Sequence, residues 1–167
     1  MNLEPPDTHY LRAACGWLEL GDATEAGEEI ARIRPEFLHH PDVLEVRWSI
    51  CAAGRRWEPA LEVAETLIRV DPTRASGWLH RAYSIRRIKS GGLQLAWAAL
   101  RPAHEKFPSE ELISYNLGCY AAQFGRLDEA WEWLHKAMEA AGDVTKIKLR
   151  ALADPDLQAL WPRIRDL

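Results

Sequence analysis

The chain has 167 residues, 47% hydrophobic and 28% charged, a size and balance that bury a core without disulfide or metal staples and suit a single domain, residues 1–167. Its apolar runs are too short to span a bilayer, and Met1 to Pro6 lacks the basic start and apolar stretch of a secretory signal, so a cytoplasmic protein with no membrane role is expected. The formal net charge of −4 divides into about −6 over residues 1–74 and about +2 over residues 75–167, which speaks against a general nucleic-acid binder.

In chain order, the first helix is expected around Tyr10 and Ala14. A turn follows at Gly21-Asp22, then a second helix with its apolar stripe at Ala26, Ile30 and Ile33, ended early by Pro35. His39-His40 beside Pro41 reads as an exposed loop pair rather than a metal site. The second pair runs through Leu44 to the turn Gly54-Arg55, then through Ala60, Ala64 and Leu67 to Pro72. The third has Trp78 and Ala82, the turn Ser90-Gly91-Gly92, the stripe Ala96, Leu100 and Ala103, and Pro108 at its close. Pro102 lies inside its expected second helix, where it should kink or shorten it. The fourth pair has Gly118, the turn Gly125-Arg126, and the stripe Ala130, Leu134 and Ala137. Residues 144–153 read as one more helix, and Asp154-Pro155 as a restart with Asp154 as N-cap. The tail beyond it should pack Leu157, Leu160, Trp161 and Ile164 against the last pair, because a stack needs a cap over its final apolar face. Cys15, Cys51 and Cys119 are odd in number, far apart and set in helical patterns, so they read as reduced small hydrophobes.

Successive first alanines of the stripes lie 34, 36 and 34 residues apart, and spacing of four and seven within each trio puts it on one helical face. With Leu117-Gly118, Gly125-Arg126-Leu127-Asp128-Glu129-Ala130 and Leu134, the fourth unit resembles the tetratricopeptide repeat. The resemblance places repeats at 7–40, 41–74, 75–110 and 111–144, with a capping tail at 145–167. It implies an all-α, right-handed superhelical stack of about four helix pairs. The chain departs from the family pattern at Trp48, where a small residue is usual, and at Arg47 and Arg81, which replace leucine. The third unit also gains two residues around Gly91-Gly92.

No nucleophile elbow, phosphate-binding loop or His-Glu-x-x-His helix occurs, so no enzyme, cofactor or metal is expected. Most of the tryptophans, Trp17, Trp57, Trp97, Trp131 and Trp133 among them, fall at packing or turn-flanking places. The resemblance implies a concave face lined by the first helix of each pair: Leu79, His80, Tyr83, Arg86 and Arg87 in the third unit, and Tyr115, Asn116, Cys119 and Gln123 in the fourth. His80, Tyr83 and Arg87 are neighbours up one helix, and the mixture of aromatic, amide and guanidinium groups suits an extended acidic peptide. Some family members grip a C-terminal carboxylate with an asparagine on one first helix and a lysine and arginine four residues apart on the next. Asn116, Lys146 and Arg150 stand at those places. The other two clamp positions fall at Leu79 and Tyr83, so half the constellation is missing, with Arg87 the candidate substitute. The expected function is a non-enzymatic scaffold holding another protein or peptide, and the alternative is a module that assembles with copies of itself into a homo-oligomer.

Overall fold

The computed structural model describes residues 2–167, in which every regular element is helical. The α-helices are α1 (Asp7–Glu19), α2 (Ala23–Ala31), α3 (Pro41–Ala53), α4 (Trp57–Val70), α5 (Ala75–Ile85), α6 (Leu93–Lys106), α7 (Glu111–Gln123), α8 (Leu127–Ala141), α9 (Val144–Leu152) and α10 (Trp161–Arg165). Two 3₁₀ segments, Pro35–Phe37 and Pro155–Leu160, follow α2 and α9. No helix among the described residues is long and apolar enough to cross a membrane. The chain forms two compact units that meet in sequence at Gly92 and Leu93, so the expected third repeat contributes α5 to the first unit and α6 to the second.

In the first unit, α1 with α2 and α3 with α4 form helical hairpins, and α5 packs on α3 and α4. Local chemistry sets their ends. The Asp22 carboxylate accepts the backbone N–H groups of Thr24 and Glu25, capping α2. The helix stops at Ala31, and Pro35 starts the 3₁₀ segment. Asp7, fully buried at the start of α1, accepts the Arg34 backbone N–H at 2.8 Å and its guanidinium at 2.7 Å, tying the far end of the hairpin back to its beginning. That backbone N–H, with the guanidinium, holds the Asp7 carboxyl below its ordinary range despite burial.

Trp48 keeps the unshifted repeat register, because α3 begins 34 residues after α1 and α5 begins 34 residues after α3. The indole fits by leaning toward α5, where it stacks on His80 with ring centroids 3.7 Å apart and donates to Ser84 Oγ at 3.1 Å. Arg47 reaches back to the Leu38 carbonyl at 3.0 Å, so a charge at a usual leucine position finds a backbone acceptor.

The turn before α2 and the turn before α8 each place a glycine in the left-handed region, Gly21 at φ 83° and Gly125 at φ 74°. Between α3 and α4 the glycine comes one residue early. Gly54 sits at φ −79° and Arg55 takes the left-handed conformation, at φ 52°. After α5 the chain turns back so closely that a Cβ on Gly91 would lie 1.8 Å from the Ile85 carbonyl oxygen.

In the second unit, α7 and α8 are the tightest pair, because Gly118 lets the Ala130 backbone approach: a Cβ at Gly118 would meet the Ala130 oxygen at 3.3 Å. All four expected stripes are buried, with Ala26, Ala60, Ala96 and Ala130 wholly enclosed. Pro102 does not shorten its helix. α6 runs 14 residues, as long as α4, and Pro102 lies on its exposed side, as does Ala98, whose carbonyl loses its helical donor to the proline. Asp143 caps α9, and Asp154 accepts the Asp156 N–H at the start of the second 3₁₀ segment. Leu157, Leu160 and Ile164 are buried and the Trp161 indole donates to the Ala151 carbonyl at 3.0 Å.

Candidate binding surface

In the first unit, α3 and α5 place an acid, two hydroxyls and an aromatic stack side by side. Glu45 accepts from Ser76 and lies 2.7 Å from His80 Nε2, while Arg74 bridges Asp42 at 2.7 Å and Asp71 at 2.9 Å. Burial pushes the Glu45 carboxyl up, but the His80 and Ser76 hydrogen bonds outweigh it and hold it below its ordinary value. His80, one of the residues expected to meet a partner, is thus clamped between Trp48 and Glu45. Tyr83, one turn further along α5, is 37% exposed. Its ring meets Trp48 edge-on and Trp57 at 5.7 Å, and the Arg87 guanidinium lies 3.4 Å over it. Arg87 also donates to the Tyr83 carbonyl at 3.0 Å. Tyr83, Arg87 and Trp57 share one open recess with Arg55.

In the second unit, Lys146 and Arg150 stand one turn apart on α9, as their spacing implies. Both point at the same atom: Glu111 Oε1 lies 2.6 Å from Lys146 Nζ and 3.5 Å from Arg150 Nη1. The Arg150 guanidinium also lies 5.4 Å from the Tyr115 ring centroid. Asn116 donates its amide to the Leu112 carbonyl at 2.8 Å, within its own helix. Gln123 donates to the Asp156 carbonyl at 3.0 Å.

That last contact belongs to a larger feature. Tyr115, Cys119 and Gln123 form one stripe along α7, expected on an open face, and the chain's own 3₁₀ segment lies on it. Tyr115 and Cys119 are only 5% and 3% exposed, and their hydroxyl and thiol both donate to Asp154 Oδ2, at 3.0 and 3.5 Å. Burial, with the nearby Cys119 and Asp154, pushes the Tyr115 hydroxyl well above its ordinary range.

Trp48, Trp57, Arg55, Glu111 and Asp154, which touch these candidates or share a recess with them, are given only structural places by the sequence, or none. Trp48 carried a signal, being oversized for its place in the repeat. Glu111 carried none, since an acid in a first helical turn is ordinary. Of the other tryptophans expected to pack, Trp97 meets Phe124 and Trp133 edge-on and Trp131 lies under the Arg163 guanidinium at 4.2 Å, whereas Trp17 is exposed. No group of three or more His, Cys, Asp or Glu side chains suited to a metal ion occurs among the described residues.

No protein-family model and no curated protein sequence matches the chain. Solved structures do. TTC0263, a thermophilic TPR protein of Thermus thermophilus, superposes with a TM-score of 0.75 at 20% identity, over 95% of this chain and 82% of that one. The 41-end portion of MamA from Desulfovibrio magneticus RS-1 superposes with a TM-score of 0.67 at 15% identity, over 99% and 97% of the two chains. A further MamA crystal structure gives a TM-score of 0.65 at 18% identity, over 96% and 88%. Such identities carry the fold alone, and the fold agrees with the helix pairs, buried stripes and turns described above: the chain is folded as a tetratricopeptide-repeat protein.

Proposed function

We propose that this chain is a non-catalytic, cytoplasmic scaffold that holds a polypeptide partner, acidic or ending in a free carboxylate, on the first helices of its repeats. The observation that carries the reading is the convergence of Lys146 and Arg150 on a single carboxylate oxygen, Glu111 Oε1. Glu111 stands in for the partner's carboxylate while none is bound. Displacing it costs more than the roughly 0–1 kcal/mol of a fully exposed ion pair, because the Glu111 side chain is only 16% exposed. A partner carboxylate that also brings side-chain contacts gains charge-assisted bonds of about 1.5–3 kcal/mol each. The net result is weak, salt-sensitive binding. In this reading Asn116 releases the Leu112 carbonyl to reach the ligand and Gln123 marks the edge set by the tail, while His80, Tyr83 and Arg87 on α5 are a separate contact surface of the first unit.

The test is a titration of acidic peptides with free and amidated C-termini against the wild type, a Lys146→Ala, Arg150→Ala double variant and Glu111→Gln. The free form should bind more tightly than the amidated one, the double variant should abolish the difference, and Glu111→Gln should enlarge it. Equal binding of the two forms to the wild type overturns the clamp. Mass measurement in the same solutions shows whether a second copy of the chain takes the peptide's place.

A further inference from the structure

A recess of about 460 Å³ opens in the first unit where the α3–α4 turn meets the end of α5, lined by Ala52, Ala53, Arg55, Trp57, Tyr83 and Arg87. Two of its six lining residues are arginines and none is acidic, so the lining itself is cationic. Arg87 is held in place by the Tyr83 carbonyl and by its stacking on Tyr83, with Trp57 5.2 Å away. A guanidinium fixed in this way loses little further freedom on binding an anion. Arg55 is exposed, and its guanidinium has no ion pair or hydrogen bond among the described residues. It also holds the left-handed backbone conformation that Gly21 and Gly125 take in the equivalent turns, although Gly54 stands next to it. Exchanging the two residues would remove the strain and also move the guanidinium away from the recess. The aromatic walls suit the aliphatic stem that carries an acidic group, and the two planar forks suit its oxygens.

We propose that this recess is an oxyanion pocket that takes an acidic side chain, carboxylate or phosphate ester, from within a bound polypeptide. It rests on the scaffold reading only for the ligand being a polypeptide, and it requires no chain terminus. The probes are end-blocked hexaglutamate, end-blocked hexaglutamine and an end-blocked hexaglutamine bearing one phosphoserine, none of which offers a terminal carboxylate. Binding is followed at low ionic strength by the indole N–H resonance of Trp57. Hexaglutamate or the phosphoserine peptide should shift that resonance and hexaglutamine should not, and added salt should reverse the shift. The tighter of the two acidic probes identifies the oxyanion.

Arg55→Gly is the decisive variant. Glycine accepts the left-handed turn without strain, so the fold is kept while the guanidinium is lost, and affinity for the acidic probes should fall about tenfold. Arg87→Lys, which keeps the charge but not the stacked fork, should weaken binding by a smaller factor. Equal affinity of wild type and Arg55→Gly, equal binding of hexaglutamine, or no binding of either acidic probe overturns the pocket. Because the probes are end-blocked, such a failure leaves the Lys146 and Arg150 reading intact. Equal binding of free and amidated peptides would sink that reading and leave the pocket intact.

Discussion

Arg55 carries a backbone conformation that costs an L-residue roughly 1–2 kcal/mol, one position after a glycine that does not use it. Replacing it with glycine removes this strain but adds freedom to the unfolded chain, so the two effects largely cancel. The expected outcome for Arg55→Gly is a denaturation midpoint equal to or slightly above that of the wild type, checked by urea unfolding. A clear loss of stability would mean that the guanidinium supports the fold. Gly91 is the opposite case. Its missing Cβ is required, since one would lie 1.8 Å from the Ile85 carbonyl oxygen, and the backbone must move to admit it. Gly91→Ala should cost about 1–3 kcal/mol. Gly54→Ala, where a Cβ meets nothing closer than 3.4 Å and φ is negative, should cost little in the same measurement.

Helix pairs meet through small residues, and here the packing decides which substitutions are tolerated. Ala130 is fully enclosed opposite Gly118, so Ala130→Leu should destabilise by about 1–3 kcal/mol through overpacking. An unchanged unfolding midpoint would show that α7 and α8 separate to make room. The 3₁₀ segment on α7 is held by both polar and apolar contacts: Asp154 on Tyr115 and Cys119, and the wholly buried Leu157. Leu157→Ala leaves a cavity costing about 2–5 kcal/mol and should loosen the segment from the α7 stripe. Cys119, almost fully covered in the native chain, should then react faster with a thiol reagent, as followed by mass spectrometry of the labelled peptide. No gain in Cys119 labelling would mean that the polar contacts alone hold the segment down.

Across the molecule, the groups with shifted titration give the two units different responses to pH. In the first unit, the Arg34 backbone N–H holds Asp7 below its ordinary 3.8, the Thr73 hydroxyl does the same for Asp71, and Glu45 is held below 4.5. Each contributes stability that is complete above its ordinary value and is lost as the pH falls through its lowered folded value. In the second unit, burial lowers His104 from its ordinary 6.5, with Lys136 and Arg101 acting in the same direction and Glu105 against it. Its ring lies 3.3 Å from the buried Ser114 hydroxyl and perpendicular to the Trp133 ring. Below 6.5 the unfolded chain takes up a proton that the folded chain refuses, so stability falls from that point downward. Between roughly pH 6.5 and 4.5, hydrogen-exchange protection factors of amides in α7 and α8 should therefore decline while those in α1 and α3 hold. His104→Phe should flatten the decline. Tyr115 sets the alkaline side of the same unit: its raised value gives stability complete below 10.0 and lost as the pH rises through the folded value.

Periodicity and punctuation are local, so the helices could be read from the residues alone: stripes four and seven residues apart choose the buried face of each second helix, and the Gly-polar turns choose where each hairpin reverses. Even the departures were visible as departures, with Trp48 too large for its place and the third unit two residues longer. Which side chains meet is a property of the packed chain instead. Glu111 finds Lys146 from 35 residues away and Asp154 finds Tyr115 from 39. Neither partner carries a local signal, since an acid in a first turn or at an N-cap is explained by its own helix. The candidate clamp and the α7 stripe could therefore be named from spacing, but that one holds an internal carboxylate and the other lies under the tail followed from how the helices pack.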